Sequence, residues 1–403
     1  VDRRKVDAIN RGESPLKDMI VDARLKGLEG KLKATTDVPS AVSECDVISI
    51  LVPTPVTDAK EPDLSYVMAA SESVSQGMKE GQLVVLESTT YPGATEEVVK
   101  PILEKSGLKT PEDFGLGYCP ERFNPADSEH TMEKMVRIAA GNSEAWSEVV
   151  KLLFDSIVKE VYLVRNIKTA EAAKVVENVQ RDLNIALFNE LALIFEKMGV
   201  DVIDVIEAAS TKWNFIKMYP GPGVGGHCLP ADPYYLTHKS RELGYEPRVI
   251  LAGRYVNNSM PMHTVELIED GLKEAGKSIE GSKIAVLGLA FKPNIGDTRQ
   301  SPSIEIASRL QERGANIRVH DPIVEEDAIN DLLGIGNSSL EGALAKAECV
   351  LIATDHDSIR EIPLQKIQEL AADNCVIVDT RNVYDPDDVP DDMVYRGIGR
   401  TRF

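Results

Sequence analysis

The chain has 403 residues, 43% hydrophobic and 27% charged, which is typical of a folded protein with more than one domain. Its formal net charge of −20 argues against nucleic acid as a bulk partner, because no basic stripe is present to neutralise phosphates. The sequence shows no signal peptide, no membrane-length apolar run, no zinc spacing and no disulfide framework among its five scattered cysteines, so we expect a cytoplasmic protein without membrane partners or a metal.

Short apolar runs bounded by turn residues alternate with helical patterns at both ends of the chain. This alternation predicts an α/β fold with two Rossmann-like parallel-sheet domains. The predicted strands lie, in chain order, within Cys45–Pro53, Gln82–Ser88, Met135–Gly141, Lys283–Ala290, Asn316–Pro322, Glu348–His356 and Asn374–Asn382.

The two series of predicted strands resemble each other in order, which indicates two related nucleotide-binding units. The second series begins with a strand, a glycine turn at Gly288, a helix and another strand, whereas the first has no counterpart of these elements after Val1. A dinucleotide fold uses its first strand and glycine-rich turn to hold the pyrophosphate. We therefore expect that roughly 30 to 40 residues, one βα unit and a strand, are absent before Val1.

Between the two series, the residues from Asn166 to Gly199 are predicted to form one long helix, because apolar residues recur at spacings of three and four. A second helical stretch is predicted from about Tyr245 to Ala275. The predicted domains are 1–165, a nucleotide-binding unit; 166–277, a helical middle domain; and 278–403, a second nucleotide-binding unit. A middle segment of this kind joins domains and pairs subunits, or serves as plain scaffold.

The segment GPGVGGHCLPADPYY, Gly221–Tyr235, combines four glycines with a thiol and a carboxylate, and is called the GPGVGGHC segment below. The glycines allow a ligand to approach the backbone, and Asp232 lies close enough to Cys228 to orient a base or a water. A free cysteine is more often a small buried hydrophobe. A dyad of Cys228 with His227 is discounted, because adjacent side chains usually point apart. A metal site of His227, Cys228, Asp232 and His238 matches no common zinc spacing.

Three polar residues share one face of the predicted central helix. Lys174 and Asn178 are four residues apart, and Arg181 follows seven after Lys174. The face is either solvated or a set of donors that stabilise a developing oxyanion.

Two loops supply further candidates. Glu121 and Arg122 lie between the prolines of YCPERFNPAD, Tyr118–Asp127, a pattern that a surface turn also shows. Lys292 and Arg299 of GLAFKPNIGDTRQSPS, with Arg381 after a later strand, give three cations suited to a diphosphate, although ordinary surface charge is the competing explanation.

Taken together, these motifs resemble the UDP-glucose/GDP-mannose dehydrogenase family over nearly the whole chain. The segments that carry the resemblance are VDRRKVDAINRG, VPTPV, LESTTYPG, YCPERFNPAD, EAAKVVENVQRDLNIALFNE, GPGVGGHCLPADPYYLTHK, GLAFKPNIGDTRQSPS and DTRN. The resemblance implies a homodimer or higher oligomer that uses two NAD⁺ to oxidise C6 of a UDP-sugar to the uronic acid of a polysaccharide pathway. It also implies that Cys228 holds the aldehyde as a thiohemiacetal and then as a thioester.

The resemblance assigns the other roles by position. Lys174 and Asn178 would stabilise the oxyanion, Asp232 would assist proton transfer, and Glu121 with Thr89 would handle the hydrolytic water. The implied NAD contacts are Thr54, Thr89 and Arg299, together with a ribose-binding aspartate that is either Asp2 or a residue just upstream. The implied UDP-sugar contacts are Arg122, Phe123, Lys174, Asn178, Arg181, Lys212, Asn214, Gly225, Phe291, Lys292 and Arg381.

GPGVGGHC followed by DPYYLTHK resembles the branch that acts on UDP-N-acetylhexosamines, with UDP-N-acetyl-D-mannosamine as the preferred substrate. TKWNF, Thr211–Phe215, instead resembles enzymes for the glucosamine or galactosamine epimers, since Lys212 and Asn214 stand where mannosamine enzymes commonly have a His or Arg pair. The alternatives are a UDP-glucose or GDP-mannose 6-dehydrogenase, a single-step hydroxyacid dehydrogenase, and a nucleotide-sugar-binding protein that has lost catalysis.

Overall fold

The computed structural model describes residues 2–15, 25–28, 30–123 and 131–400. The chain divides into two compact units, which are described separately. The first unit comprises Val1–Pro55 and Asp63–Lys174, and the second comprises Val56–Pro62 and Val175–Phe403. This division falls inside the central helix; the three domain boundaries expected from the sequence stay a prediction.

The first unit contains one five-stranded sheet. Its strands are β1 Val47–Ile50, β2 Leu83–Leu86, β3 Gly115–Tyr118, β4 Val136–Gly141 and β5 Glu160–Leu163. Its helices are α1 Arg3–Asn10, α2 Val38–Glu44, α3 Ser65–Ser75, α4 Lys100–Leu103 and α5 Glu144–Asp155, with a π-helical turn Thr95–Val99 before α4 and 3₁₀ turns Glu104–Ser106 and Met132–Lys134. The sheet order is β1-β2-β3-β4-β5.

All neighbouring strands of this sheet run parallel except β3 and β4, which pair antiparallel. Alternate residues of β2 pack into different apolar clusters, Val84 and Leu86 into one and Leu83 and Val85 into the other, so both faces of the sheet are covered. Helix α5 lies close to β3 because β3 carries glycine: a Cβ at Gly115 would lie 2.3 Å from the Trp146 ring.

The second unit contains a second five-stranded sheet, and all of its strands are parallel. The strands are β6 Lys283–Leu287, β7 Asn316–His320, β8 Cys349–Ile352, β9 Val376–Asp379 and β10 Val394–Gly397, in the order β10-β9-β8-β6-β7. Gly288 follows β6 at φ +86°, and a Cβ there would lie 2.5 Å from the Thr354 side chain. Glycine is therefore required at the predicted turn.

Helices flank this sheet and precede it in the chain. They are α6 Ile167–Met198, whose first residues belong to the first unit, α7 Val202–Ser210, α8 Asp232–Glu242, α9 Arg248–Glu274, α10 Pro302–Glu312, α11 Glu326–Leu333, α12 Leu340–Leu344, α13 Asp357–Arg360 and α14 Leu364–Leu370; a 3₁₀ turn spans Pro386–Asp388. Helix α9 packs closely on α6 at Gly253, where a Cβ would lie 2.5 Å from the Leu183 side chain.

The predicted α/β architecture with two Rossmann-like sheets and a long central helix is confirmed, with one correction: β3 and β4 make the first sheet mixed rather than wholly parallel. All seven predicted strands and both long helices are present within a few residues of their expected ends. The expectation about residues before Val1 stays a prediction.

Candidate active site

The backbone of the GPGVGGHC segment adopts conformations that only glycine adopts easily. Gly223 and Gly226 have φ of +129° and +87°. A Cβ at Gly225 would lie 2.5 Å from Cβ of Phe291, and one at Gly226 would lie 3.0 Å from the ring of the same residue. The glycines thus bring a bare stretch of backbone against Phe291.

Cys228 is fixed in a tight turn at the start of α8. Its carbonyl oxygen accepts hydrogen bonds from the backbone N–H of Ala231 at 3.1 Å and of Asp232 at 2.8 Å. The thiol is partly exposed, and its Sγ lies 3.4 Å from Nε2 of His227. The expectation that these adjacent side chains point apart is therefore wrong, because the turn directs the imidazole back to the sulfur.

The loop that precedes α10 lies against the same turn. The backbone N–H of Gly226 donates to the carbonyl oxygen of Arg299 at 2.9 Å. The Arg299 guanidinium in turn pairs with Asp297, with Nε–Oδ1 at 2.9 Å and Nη2–Oδ2 at 2.5 Å. The sequence assigned Arg299 to the cofactor by resemblance, but gave no sign that it lies beside the thiol-bearing segment.

Asp297 and Arg299 interact electrostatically with each other and with the His227–Cys228 pair. Partial burial acts to raise the pKa of Asp297, but the hydrogen bonds and charge of Arg299 together with the His227 imidazole lower it overall. The pKa of Arg299 is raised, mainly by its hydrogen bond to Asp297 and in smaller part by charge interactions with Asp297 and Cys228. Both residues are therefore ionised beside Cys228 near neutral pH.

Asp232 and Asn178 are in direct contact. The Asn178 amide on α6 donates to the Asp232 carboxylate with Nδ2–Oδ2 at 2.5 Å, and Asp232 is buried in the first turn of α8. This contact links Asn178, on the polar face of the central helix, to the GPGVGGHC segment.

A buried polar network on α6 and α9 holds the first residue of the GPGVGGHC segment. The sequence gave no indication of this network. The Arg254 guanidinium donates to Asp182 at 2.6 Å, and Asn257 donates to the same carboxylate at 2.9 Å. Asn189 then donates to Asn257 at 2.9 Å and accepts the backbone N–H of Gly221 at 2.9 Å. Four side chains on α6 and α9 thereby fix where the segment begins.

A cavity of about 370 Å³ lies beside the segment in the second unit. Its lining residues include Val224, Tyr234, Arg254 and Gln300. This space is large enough for part of a ligand.

Lys174 is buried on the central helix with only 8% of its surface exposed. Among the residues that the structure describes, its ammonium donates to no acceptor and pairs with no carboxylate. An ammonium on a largely buried side chain is normally paired, so an anionic oxygen of a ligand is the fitting partner. Arg181, two turns further along the same helix, is exposed.

Glu171, one turn before Lys174, anchors the loop after β2. Its carboxylate is fully buried and accepts the backbone N–H of Gly93 at 2.5 Å and of Thr95 at 2.8 Å, and the hydroxyl of Thr95 at 2.6 Å. Burial raises the pKa of Glu171, and the hydrogen bonds oppose that rise. This loop carries the candidate Thr89, which is half-buried, so Glu171 fixes its surroundings.

Glu121 is held at the end of β3 by its own loop and by Arg137. Its Oε1 accepts the backbone N–H groups of Arg122 and Phe123, both at 2.7 Å, and its Oε2 lies 3.8 Å from the Arg137 guanidinium. Arg137 is buried, pairs with Glu87 at 2.7 Å and stacks on Phe154. Residues 124–127 of the YCPERFNPAD motif lie outside the described residues.

Arg381 follows β9 and has a donor without a protein acceptor. Its Nε donates to the carbonyl oxygen of Ala353 at 2.9 Å, whereas its buried Nη2 has no partner among the described residues. Burial lowers the pKa of Arg381 and the nearby Asp355 opposes that. A Cβ at Gly221 would lie 3.3 Å from Nη1, so Arg381 also adjoins the GPGVGGHC segment.

The remaining candidate residues lie at exposed or half-buried positions in loops and turns, apart from Asp2, which precedes α1. Lys212 and Asn214 are exposed on the turn after α7, Lys292 is half-buried in the loop after β6, and Thr54 is half-buried after β1. Asp2 caps α1 by accepting the backbone N–H of Arg4 at 2.9 Å, and hydrogen bonds from Arg4 lower its pKa.

Three parts of the chain match the domains of one protein family. Residues 1–162 match the NAD-binding domain of the UDP-glucose/GDP-mannose dehydrogenase family, residues 168–259 match its central domain, and residues 285–386 match its UDP-binding domain. The chain belongs to the UDP-glucose/GDP-mannose dehydrogenase family. It is an NAD-dependent oxidoreductase, as expected.

Relatives of this dehydrogenase are similar over nearly their whole length. The UDP-N-acetyl-D-glucosamine 6-dehydrogenase of Pseudomonas aeruginosa is 39% identical, with 94% of this chain and 91% of the relative covered. The UDP-N-acetyl-D-mannosamine dehydrogenase of Pyrococcus horikoshii is 34% identical, with 98% and 91% covered. A solved structure of a UDP-D-ManNAc dehydrogenase from Pyrococcus horikoshii superposes with a TM-score of 0.90 at 35% identity, covering 99% of this chain and 92% of that one.

The residues present fit both nucleotide ligands. In the first unit, the Ser88 hydroxyl joins the segments after β1 and β2 by bonding the N–H and the carbonyl of Val52, both at 2.9 Å. Thr54 and Thr89 follow these strand ends, where open α/β sheets bind nucleotides, and their hydroxyls suit the polar groups of NAD. In the second unit, the unpaired Nη2 of Arg381 suits a diphosphate oxygen.

Within the described ranges, no helix combines the length and apolarity that crossing a membrane requires. In the same ranges, His, Cys, Asp and Glu side chains form no group of three or more arranged to hold a metal ion.

Proposed function

We propose that this dehydrogenase oxidises the C6 hydroxymethyl group of a UDP-N-acetylhexosamine to the carboxylate, in two oxidations at one carbon. The observation that carries the proposal is the half-exposed Cys228 thiol in a glycine-walled turn, one helical turn before the Asp232–Asn178 pair. A four-electron oxidation needs a covalent holding point between its two halves, and a thiol supplies one.

The relatives support the choice of sugar. The relative with 39% identity is named for UDP-N-acetyl-D-glucosamine, and the relative with 34% identity for the mannosamine epimer. We therefore propose UDP-N-acetyl-D-glucosamine as the first substrate to test. The preference of the sequence pattern for UDP-N-acetyl-D-mannosamine stays a prediction, and that epimer is the second.

Bound NAD⁺ would supply the hydride acceptor for each oxidation. In the proposed mechanism the Cys228 sulfur adds to C6 of the aldehyde, the C6–S bond forms, and the electron pair of the C=O bond moves to oxygen. The ammonium of Lys174 and the amide of Asn178 stabilise this oxyanion. After the second oxidation, water adds to the thioester carbon, the C6–S bond breaks, and the carboxylate leaves.

The proton transfers are assigned to carboxylates. Asp232, held by Asn178, assists transfer at the C6 oxygen, and Glu121 with Thr89 orients the hydrolytic water. The other proposed UDP-sugar contacts remain Arg122, Phe123, Arg181, Lys212, Asn214, Gly225, Phe291, Lys292 and Arg381. Asp2, Thr54, Thr89 and Arg299 remain proposed NAD contacts. We also keep the proposals of a cytoplasmic location and of a role in supplying uronic acids for polysaccharides.

Replacing the thiol tests the mechanism directly. We expect Cys228→Ala to abolish formation of the uronic acid while UDP-sugar binding stays within about tenfold, a difference of ~1.4 kcal/mol. Acid is measured by chromatography of the reaction mixture, and binding by calorimetry. The matched control is Cys45→Ala, which removes an exposed thiol elsewhere and should leave acid formation unchanged. Near-native acid formation by Cys228→Ala would contradict the mechanism.

A further inference from the structure

The imidazole next to the proposed nucleophile is placed to exchange a proton with it. Nε2 of His227 lies 3.4 Å from Sγ of Cys228, within the range of a hydrogen bond to sulfur. His227 is exposed and Cys228 is half-buried, so both remain accessible to solvent and to a substrate. An imidazole at this distance converts a thiol into a thiolate–imidazolium pair, which is the reactive form of cysteine.

The surroundings of the pair have charges that would stabilise its ionised form. Asp297 interacts with the charge of His227, and Arg299 with the charge of Cys228. A carboxylate beside the imidazole favours imidazolium, and a guanidinium beside the sulfur favours thiolate. Since Asp297 and Arg299 are also paired with each other at 2.5 Å, the two ion pairs form one cluster of alternating charge.

The backbone keeps the four groups together. The bond from Gly226 N–H to the Arg299 carbonyl joins the residue just before His227 to the Asp297–Arg299 loop. The Cys228 carbonyl is fixed by Ala231 and Asp232 on the other side. The proximity of His227 to Cys228 therefore follows from a turn that is bonded on both flanks.

We propose that His227 is a further catalytic residue, which takes the proton of the Cys228 thiol before the sulfur adds to the aldehyde. This inference rests on the proposed role of Cys228 as nucleophile. The S–H proton moves to Nε2 of His227, and in the addition step that follows the thiolate forms the S–C6 bond while the C=O electron pair moves to oxygen.

The same imidazole returns the proton at the end of the cycle. When water adds to the thioester, the C6–S bond breaks and the proton held by His227 goes back to sulfur. The two protons of the water leave to solvent as the carboxylate forms. No oxidant beyond the NAD⁺ of the proposed function is required.

The test measures the reactivity of the thiol with iodoacetamide as a function of pH, without substrate. Three of the five cysteines are buried, and burial raises the pKa of Cys119 and Cys375 to about 12 and the pKa of Cys349 well above its ordinary value. The exposed Cys45 is removed by Cys45→Ser, so that Cys228 is the reactive thiol in every variant. Mass spectrometry of the labelled peptide confirms the site.

In the Cys45→Ser protein we expect half-maximal alkylation of Cys228 at a pH well below the ~8.5 of an ordinary thiol. His227→Gln should move that midpoint up toward the ordinary value and lower the alkylation rate at pH 6.5 roughly tenfold or more. The same change at another histidine, His238→Gln, should leave the profile in place, because His238 pairs with Glu242 on α8.

Turnover gives a second readout. We expect His227→Gln to lower kcat at pH 7 and to regain most of it near pH 9, with KM for the UDP-sugar within about twofold, because the thiol then ionises without help. An alkylation profile unchanged by His227→Gln would overturn the inference. The Cys228→Ala variant separates the two claims: its inactivity would keep the proposed function even then, whereas acid formation by it would reject that function independently of His227.

Discussion

Among single residues, Lys174 combines burial with the lack of a protein partner in the described part of the chain. With 8% of its surface exposed, the Lys174 side chain lies mostly out of water, where its interaction with a developing oxyanion is only weakly screened. The mechanism uses this charge in the transition state more than in the ground state, so its removal should act on kcat rather than on KM.

We expect Lys174→Met, which keeps the length of the side chain, to lower kcat roughly 10²-fold or more with little change in KM. The control is Lys168→Met on the same helix, where the side chain is more than half exposed and its ammonium lies 3.9 Å from Glu97. Steady-state NADH formation measures both variants. An effect confined to KM would instead make Lys174 a binding residue.

The sequence could predict those candidate residues whose neighbours or spacing form a recognisable pattern. Cys228 stands among glycines, and Lys174 and Asn178 share a helical face. Arg137, Glu171 and Asp182 could not be found in this way, because a charged residue on a strand or helix has the same appearance whether it faces solvent or a buried partner. Their burial follows only from the packing of other elements.

At the scale of elements, the turn after β6 is fixed by one carboxylate. Asp321, at the end of β7, is buried and accepts the backbone N–H groups of Leu289 at 2.6 Å and Val324 at 2.8 Å, and Nε2 of His356 lies 3.3 Å away. Nδ1 of His356 accepts the N–H of Asn294 at 2.9 Å, so Nε2 carries the proton toward Asp321. The acidic side chain thus joins two loops at the nucleotide edge of the second sheet.

The pH dependence of this contribution can be predicted. Burial acts to raise the pKa of Asp321, but hydrogen bonds from His356 and the backbone hold it well below its usual range. A carboxyl group with a depressed folded-state pKa stabilises the protein above its unfolded pKa, near 3.9, and loses that contribution as pH falls through the folded value.

We expect Asp321→Asn to lower the free energy of unfolding of the second unit by about 2 to 4 kcal/mol at pH 7, because the amide places N–H against backbone donors. The difference in the free energy of unfolding between this variant and the parent protein should narrow as pH falls below ~4. Asp331→Asn, at an exposed position on α11, is the control. Urea titrations followed by circular dichroism measure the difference, and equal stability of Asp321→Asn and parent at pH 7 would reject this role.

Element types were predictable where apolar runs were continuous and bounded by turns, as for β2 and β8. Strand β3 is hard to delimit from sequence, because GLGY has two glycines and little apolar content; the structure shows that Gly115 is needed for the close approach of Trp146. Two further strands were not predicted: β5, whose EVYL is short, and β10, whose VYRG mixes polar and apolar residues. The antiparallel pairing of β3 with β4 depends on tertiary packing that no local pattern reports.

At the scale of the whole molecule, the second unit has an exposed apolar face whose burial would be favourable. Leu187, Ile194 and Met198 follow one another at helical spacing on α6 and are 50%, 44% and 63% exposed. Tyr255 on α9 is 77% exposed. We propose that these side chains pack against a second copy of the chain, which is the homodimer expected from the sequence.

Sedimentation velocity should give the mass of two chains or an even multiple. Leu187→Glu should shift the protein toward the single-chain mass, because a carboxylate on the apolar face would have to be desolvated when two chains pack together. The control is Leu152→Glu, which places the same charge at an apolar position 71% exposed in the first unit. A parent protein that sediments as one chain would contradict the dimer.

The central claim is that one carbon is oxidised twice by a protein with separate NAD-binding and UDP-binding domains. The stoichiometry of the reaction separates this from a single-step dehydrogenase, since the second oxidation needs the covalent intermediate on Cys228. The decisive measurement is the amount of NADH formed per UDP-N-acetyl-D-glucosamine consumed, by absorbance and chromatography on the same sample, repeated with the mannosamine epimer. We expect two NADH for each UDP-sugar converted to acid, and one NADH with release of an aldehyde would contradict the account.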